Sequence, residues 1–182
     1  MTFKRLNSRK AYNTKIFELE FRDYQHTDGS VHKDLAVLNS NDAANVIAIT
    51  PTNKVVLVNQ FRFGIDDTTI EIPGGLVESG EDPKEAVKRE LSEETGYTAE
   101  AYRYIGKVYA NPVFQSNFIH HFIAYNALQS AEQSLDPAED IDIMTMDVTE
   151  VLKRLQSGYF MHPHTVTAFN LALSHLHALI KP

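Results

Sequence analysis

Glu90, Glu93 and Glu94, with Arg89 beside them, are the residues whose types and spacing best suit chemistry. On a helix turning about 100° per residue, the three carboxylates fall within one arc of roughly 100°, bordered by the apolar residues Ala86, Val87 and Leu91. Like charges at i and i+4 repel, and apolar neighbours raise the cost of ionisation further. A cation would neutralise such a cluster. Hard divalent ions prefer oxygen ligands, and magnesium, which takes one or two carboxylates plus substrate phosphates, suits it best. A solvated acidic face is the commoner reason for a Glu-rich helix. Against it stand the glycine-bounded loop ahead of the cluster, the embedded arginine and the apolar border.

The helix that must carry these groups has readable ends. Asp82 precedes Pro83 and lies three residues before Glu85, a capping-box pattern with proline at the first helical position, so the helix is predicted to start near Pro83. Gly96 tolerates the left-handed conformation of a C′ residue and should stop it near Thr95. The whole run from Gly75 to Tyr97 resembles the Nudix box, Gly-x5-Glu-x7-Arg-Glu-U-x-Glu-Glu-x-Gly-U, where U is bulky and apolar. Gly75, Glu81, Arg89, Glu90, Leu91, Glu93, Glu94 and Gly96 carry the match, with Tyr97 at the last apolar position.

That resemblance implies metal-assisted attack of water on a nucleoside diphosphate linked to another group. By position it makes Glu90 and Glu94 direct metal ligands, adds the Gly74 carbonyl, and has Glu93 bind through water or help position the metals. Magnesium is the expected cofactor, with manganese as a substitute. Glu81 would pair with Arg89 and brace loop against helix. Relatives acting on ADP-ribose carry a proline about fifteen residues beyond the box, as Pro112 is here, and a segment like Gln60-Phe61-Arg62, whose arginine reaches the substrate diphosphate. The expected substrate-binding set is Arg62, Glu71, Pro112 and Phe114. Asn111-Pro112-Val113 stands where such enzymes usually have Ser-Pro-Gly, so the expected substrate is broader: a nucleoside diphosphate sugar, with ADP-ribose accepted and GDP-mannose or a similar sugar nucleotide competing. The expected general base is Glu139, on an acidic loop, with Glu93 as the alternative. Other readings are a nucleoside triphosphate or capped RNA as substrate, or a non-enzymatic sensor of an ADP-ribose-type ligand.

The rest of the chain supplies the frame. Its 182 residues suffice for one well-filled core with a small appendage. A hydrophobic fraction of 43% and a charged fraction of 23% are those of an ordinary globular chain, and no apolar run has the length of a membrane span. The basic N-terminus lacks the apolar stretch of a signal peptide, so the expected location is cytoplasmic, with no membrane partner. The absence of cysteine excludes thiolate chemistry, and a formal net charge of −7 argues against nucleic acid as a partner.

The fold class expected is α/β: a Nudix-type α/β/α sandwich with a mixed sheet and a small β-rich N-terminal subdomain. Residues 1–43 form that subdomain, with a hairpin around Thr27-Asp28-Gly29-Ser30. In ADP-ribose relatives it is exchanged across a homodimer, so a homodimer is expected here. Residues 44–182 form the hydrolase domain. Within it, Ala44–Thr50 and Lys54–Arg62 read as central strands buried on both faces. Strands are also predicted at 69–72, 101–106, 107–110, 117–125 and 143–146, with a loop over 128–140. Helices are predicted at 149–158 and 164–180, the latter with Val166, Phe169, Leu173, Leu176 and Ile180 at helical spacing. His120-His121, His162-Pro163-His164, His175 and His177 lack a complete metal set and read as packing or surface groups. Phe61, Tyr102, Tyr104 and Phe114 could stack on a base, though core packing is the usual fate of any one aromatic.

Overall fold

A computed structural model describes residues 2–137 and 139–180; Met1, Ala138, Lys181 and Pro182 lie outside the described residues. The chain divides into two compact units, one of Met1–Asp42 with Val108–Phe118 and the other of Ala43–Lys107 with Ile119–Pro182.

The first unit is a three-stranded antiparallel sheet in the order β1 (Phe3–Asn13), β2 (Phe17–His26), β3 (Val31–Ser40). Gly29, with φ +90°, makes the turn between β2 and β3. Three strands therefore occupy a stretch whose predicted content was one hairpin in a generally β-rich segment. Among the described residues of β1, β2 and β3 none is buried. The excursion 108–118 is held to β3: Leu38 N–H donates to Phe114 O at 2.7 Å and Ser116 N–H donates to Leu38 O at 3.2 Å.

The second unit is a sheet between helices. Its strands are β4 (Ala43–Ile49), β5 (Lys54–Arg62), β6 (Asp67–Glu71) and β7 (Gly74–Leu76), followed by helix α1 (Pro83–Thr95) and the two-residue β8 (Tyr97–Thr98). Then come β9 (Ala101–Tyr109), β10 (Phe118–Tyr125), β11 (Leu128–Gln129), β12 (Ile141–Asp147), α2 (Val148–Gln156), α3 (Pro163–Leu171) and α4 (Leu173–Leu179). The central order is β12-β5-β4-β10-β9, with β6 beside β5 and β7 beside β4; β4 and β10 run parallel and the β12–β5 pair antiparallel, so the sheet is mixed.

The apolar runs of β4 and β5 are continuous because both faces are covered. Ile47, Ile49, Val55 and Leu57 pack with Val151, Phe169 and Leu176 of α2–α4, whereas Ala44, Val46, Ala48 and Val56 pack with Ala86, Val87 and Leu91 of α1. Side-chain alternation along a strand divides the two cores. The arrangement is the predicted α/β/α sandwich.

Three details depart from the sequence expectation. Residues 101–109 form one strand where two were predicted over 101–110, and β11 within the predicted loop pairs with β8. The terminal helix is broken at Ala172 (φ −89°, ψ 0°) into α3 and α4, and no proline or glycine accounts for the break.

Candidate active site

Helix α1 has the predicted ends. Asp82 caps it by accepting from Lys84 N–H at 2.8 Å, and Gly96 adopts φ 68° at its C-terminus. The capping box is only half made, because Glu85 pairs with Lys88 Nζ at 2.7 Å.

Two glycines let strand β7 lie close against both its neighbour β4 and this helix. β7 pairs with β4 through Asn45↔Gly74 and Ala44↔Gly75. A Cβ at Gly74 would lie 2.3 Å from Ala44 O, and one at Gly75 would lie 2.4 Å from Glu90 Oε1. The close approach thus brings backbone against carboxylate: Gly74 N–H donates to Glu94 Oε2 at 2.9 Å.

Arg89 organises the remaining acids. Its Nε and Nη2 meet the two oxygens of Glu81 at 3.2 and 3.1 Å, and Nη2 also donates to Leu76 O at 3.0 Å. Nη1 meets Glu90 Oε1 at 2.8 Å and Glu93 Oε2 at 3.1 Å. The bond to Arg89, helped by the Glu78 N–H, holds Glu81 below the usual carboxylate range. Burial drives Glu94 well above that range, the charges of Glu90 and Glu139 adding to it against the Gly74 N–H. Burial also raises Glu90, against the opposing pull of Arg89.

Among the described residues no group of three His, Asp or Glu side chains is arranged to hold a metal ion. Arg89 engages Glu90 Oε1 and Glu93 Oε2, and the Gly74 N–H engages Glu94 Oε2. The donor set nevertheless fits a hard divalent cation, since it is all oxygen and two of its members are carboxylates whose burial opposes ionisation.

The acidic loop is tied to the same helix by a residue the sequence reading passed over. Gln133 Nε2 donates to Glu94 O at 2.7 Å and to Ile141 O at 3.1 Å, joining the end of α1 to the start of β12. Ser134 N–H donates to Glu93 O at 2.8 Å, while Ser130 and Ala131 N–H donate to Gly96 O. Glu139 sits in a local turn, its Oε2 accepting from Asp136 N–H at 2.9 Å, and its charge reaches Glu90, Glu94 and Arg62. Polar glutamine in a polar segment gives no periodic signal, so only its position reveals the clamp.

Arg62 and Glu71 form a near-parallel pair. Nε and Nη2 of Arg62 each lie 2.6 Å from an oxygen of Glu71, a carboxylate only 3% exposed. Burial alone would raise Glu71, but Arg62 and the nearby His162 leave it below its ordinary value. Two of the histidines set aside as packing groups lie here: His162 Nδ1 is 3.1 Å from Glu71 Oε2, and the His162 and His164 rings are 5.4 Å apart. Burial lowers His162 and His121 each to about 4. His121 bonds Asn45 Oδ1 at 2.7 Å and is fully buried.

Pro112 and Phe114 belong to the first unit. They line a cavity of about 530 Å³ there, with Phe3, Arg22, Tyr24 and Leu35. Of the aromatics considered for stacking, Phe61 packs on Phe63, and Tyr104 on Phe122 at 5.3 Å.

A family profile described as the NUDIX domain matches residues 39–164. The ADP-ribose pyrophosphatase of Bacillus subtilis (strain 168) is 31% identical over 155 residues, covering 85% of this chain and 83% of that protein. The GDP-mannose pyrophosphatase of Cronobacter sakazakii is 30% identical over 164 residues, covering 85% and 83%. A crystal structure of an ADP compounds hydrolase superposes with a TM-score of 0.86 at 20% identity, over 100% of this chain and 98% of the other, a likeness of fold.

Proposed function

The chain belongs to the Nudix family, and from that premise we propose that it hydrolyses the diphosphate linkage of a nucleoside diphosphate sugar, with ADP-ribose accepted and GDP-mannose competing. The products are a nucleoside monophosphate and a sugar phosphate. One observation carries the reading: Glu90 and Glu94 are buried together on α1 where Gly74 and Gly75 bring the backbone of β7 against them, and Arg62 is held by the buried Glu71 through two bonds of 2.6 Å. Such a site seats a cation and an anion together. The names of the two pyrophosphatase relatives support the substrate class.

Magnesium, with manganese as a substitute, would be held by Glu90, Glu94 and the Gly74 carbonyl, with Glu93 binding through water. When bound, it withdraws charge from the phosphate oxygens and lowers the pKa of water. The protein supplies the rest. Arg62 is held by Glu71 through Nε and Nη2, leaving Nη1 for the substrate diphosphate. Glu139 takes the proton of the attacking water, with Glu93 as the alternative base. Glu81 and Arg89 brace the loop Leu76–Glu81 against α1.

The protein acts as a homodimer, because β1–β3 bury no residue of their own among those described and need a covering surface. No helix among the described residues is long and apolar enough to cross a membrane. A hydrolysis panel with magnesium, covering ADP-ribose, GDP-mannose and deoxynucleoside triphosphates with products weighed by mass spectrometry, tests the proposal. A nucleoside monophosphate plus a sugar phosphate is expected. Inorganic diphosphate released from triphosphates alone, or tight binding without turnover, would overturn it.

A further inference from the structure

Arg62 and Glu71 meet over a long reach. In the β5–β6 ladder Arg62 lies opposite Asp67, Gln60 opposite Thr69 and Val58 opposite Glu71. Side chains alternate along a strand, so Arg62, Thr69 and Glu71 share one face of the ladder, with Thr69 midway between the other two. Four residues of strand, about 13 Å, separate the levels of the two charged residues. Both side chains must therefore lean toward each other, and each has several torsions to order in doing so.

Glu71 Oε1 accepts from Arg62 Nε at 2.6 Å and from Thr69 Oγ1 at 2.5 Å, while Oε2 accepts from Arg62 Nη2 at 2.6 Å. His162 Nδ1 approaches Oε2 to 3.1 Å, but its hydrogen bond is with Thr165 Oγ1 at 3.3 Å. Among the described residues, Thr69 is thus the one hydrogen-bond donor to Glu71 apart from Arg62 itself. The distinction matters for rigidity. Two bonds between two long side chains fix each against the other, and neither against the sheet. The Thr69 hydroxyl supplies that missing anchor, because it hangs directly from a β-branched Cβ whose χ1 is stiff, within a paired strand. The terminal torsion of a glutamate is broad and roughly two-fold. Without the hydroxyl, the plane of the Glu71 carboxylate would be set by Arg62 alone, and the pair could swing as a unit.

We propose that Thr69 is a positioning residue for substrate binding: its hydroxyl pins Glu71 Oε1 to β6, and through that carboxylate it fixes the direction in which the Arg62 guanidinium faces the substrate diphosphate. The inference rests on the reading of Arg62 as the diphosphate contact.

Steady-state kinetics with ADP-ribose and magnesium test it, using GDP-mannose if that is the sugar nucleotide turned over. Thr69→Val keeps the shape and removes the hydroxyl; it should raise KM about five-fold and leave kcat within about two-fold, as loss of an aligned binding contact requires. Thr69→Ser restores the donor and should bring KM back to within about two-fold of the parent. In an Arg62→Ala background, Thr69→Val should change KM by less than about two-fold, because the route through Arg62 is already gone. An unchanged KM for Thr69→Val beside a raised KM for Arg62→Ala would overturn the positioning role alone. So would a loss confined to kcat, a Thr69→Ser variant as impaired as Thr69→Val, or a full additional effect in the Arg62→Ala background. An unchanged KM for Arg62→Ala would instead remove the diphosphate role of Arg62, and this inference with it. Should Thr69→Val fail to fold in thermal melts, Thr69→Ser and Thr69→Ala decide: a clearly higher KM in the alanine variant supports the proposal and equal KM values overturn it.

Discussion

At the scale of single residues, the raised carboxylates of Glu90 and Glu94 couple stability to pH and to metal. A carboxyl group whose folded pKa exceeds its unfolded value contributes stability that is complete below the unfolded pKa, near 4, and lost as pH rises through the folded one. Divalent cations should therefore raise the melting temperature more at pH 8 than at pH 5, where protons compete for the same oxygens; equal shifts at both pH values would contradict the assignment. Glu94→Gln removes the buried ionisation. It should raise the melting temperature of metal-free protein at pH 8 by about 2–4 °C, the shift roughly 1 kcal/mol produces in a chain of this size, while cutting kcat by roughly 10²–10³-fold through loss of a metal ligand. For the general base, Glu139→Gln should lose far more turnover than Glu93→Gln, and near-normal turnover in Glu139→Gln would transfer the role to Glu93.

At the scale of elements, local chemistry was readable and long-range tethering was not. Asp82-Pro83 and Gly96 announce the ends of α1 because a cap, a proline and a left-handed residue act within a few residues. The box glutamates were readable because fixed spacing on a helix fixes a shared face. Gln133 was not, since its partners, the Glu94 and Ile141 carbonyls, are main-chain groups common to every residue. Nor was the pairing of His162 with Glu71, which depends on α3 returning to the end of β6. The broken terminal helix was equally hidden, because its apolar spacing continues through Ala172. If Gln133 holds the acidic loop to α1, Gln133→Ala should lower kcat about ten-fold with little change in KM, by loosening the segment that carries Glu139. A rise in KM with normal kcat would point to a different role for the loop.

At the scale of the whole molecule, the division into units follows composition only partly. The exposed strand β1 and the half-buried β2 give the first unit its β-rich character, but nothing in 108–118 marks that excursion as belonging to it. Leu6 and Tyr12 on β1 are 48% and 67% exposed, large apolar groups on a sheet with no buried residue among those described. Sedimentation should accordingly give about twice the 20.6 kDa chain mass. Tyr12→Asp should shift the protein toward monomer, and a monomeric parent at micromolar concentration would exclude the dimer. The parallel ladder of β4 and β10 bears on how the molecule is reached as well as on how it works. Asn45 and His121, paired across that ladder, are 76 residues apart, and closing a loop of that length costs about 4 kcal/mol of chain entropy. Hairpins such as β4–β5 and the self-capped α1 close over far shorter distances. The kinetic order this favours has α1 forming early and the sheet behind it zipping late, so the seat for a cation would be among the last things a newly made chain acquires.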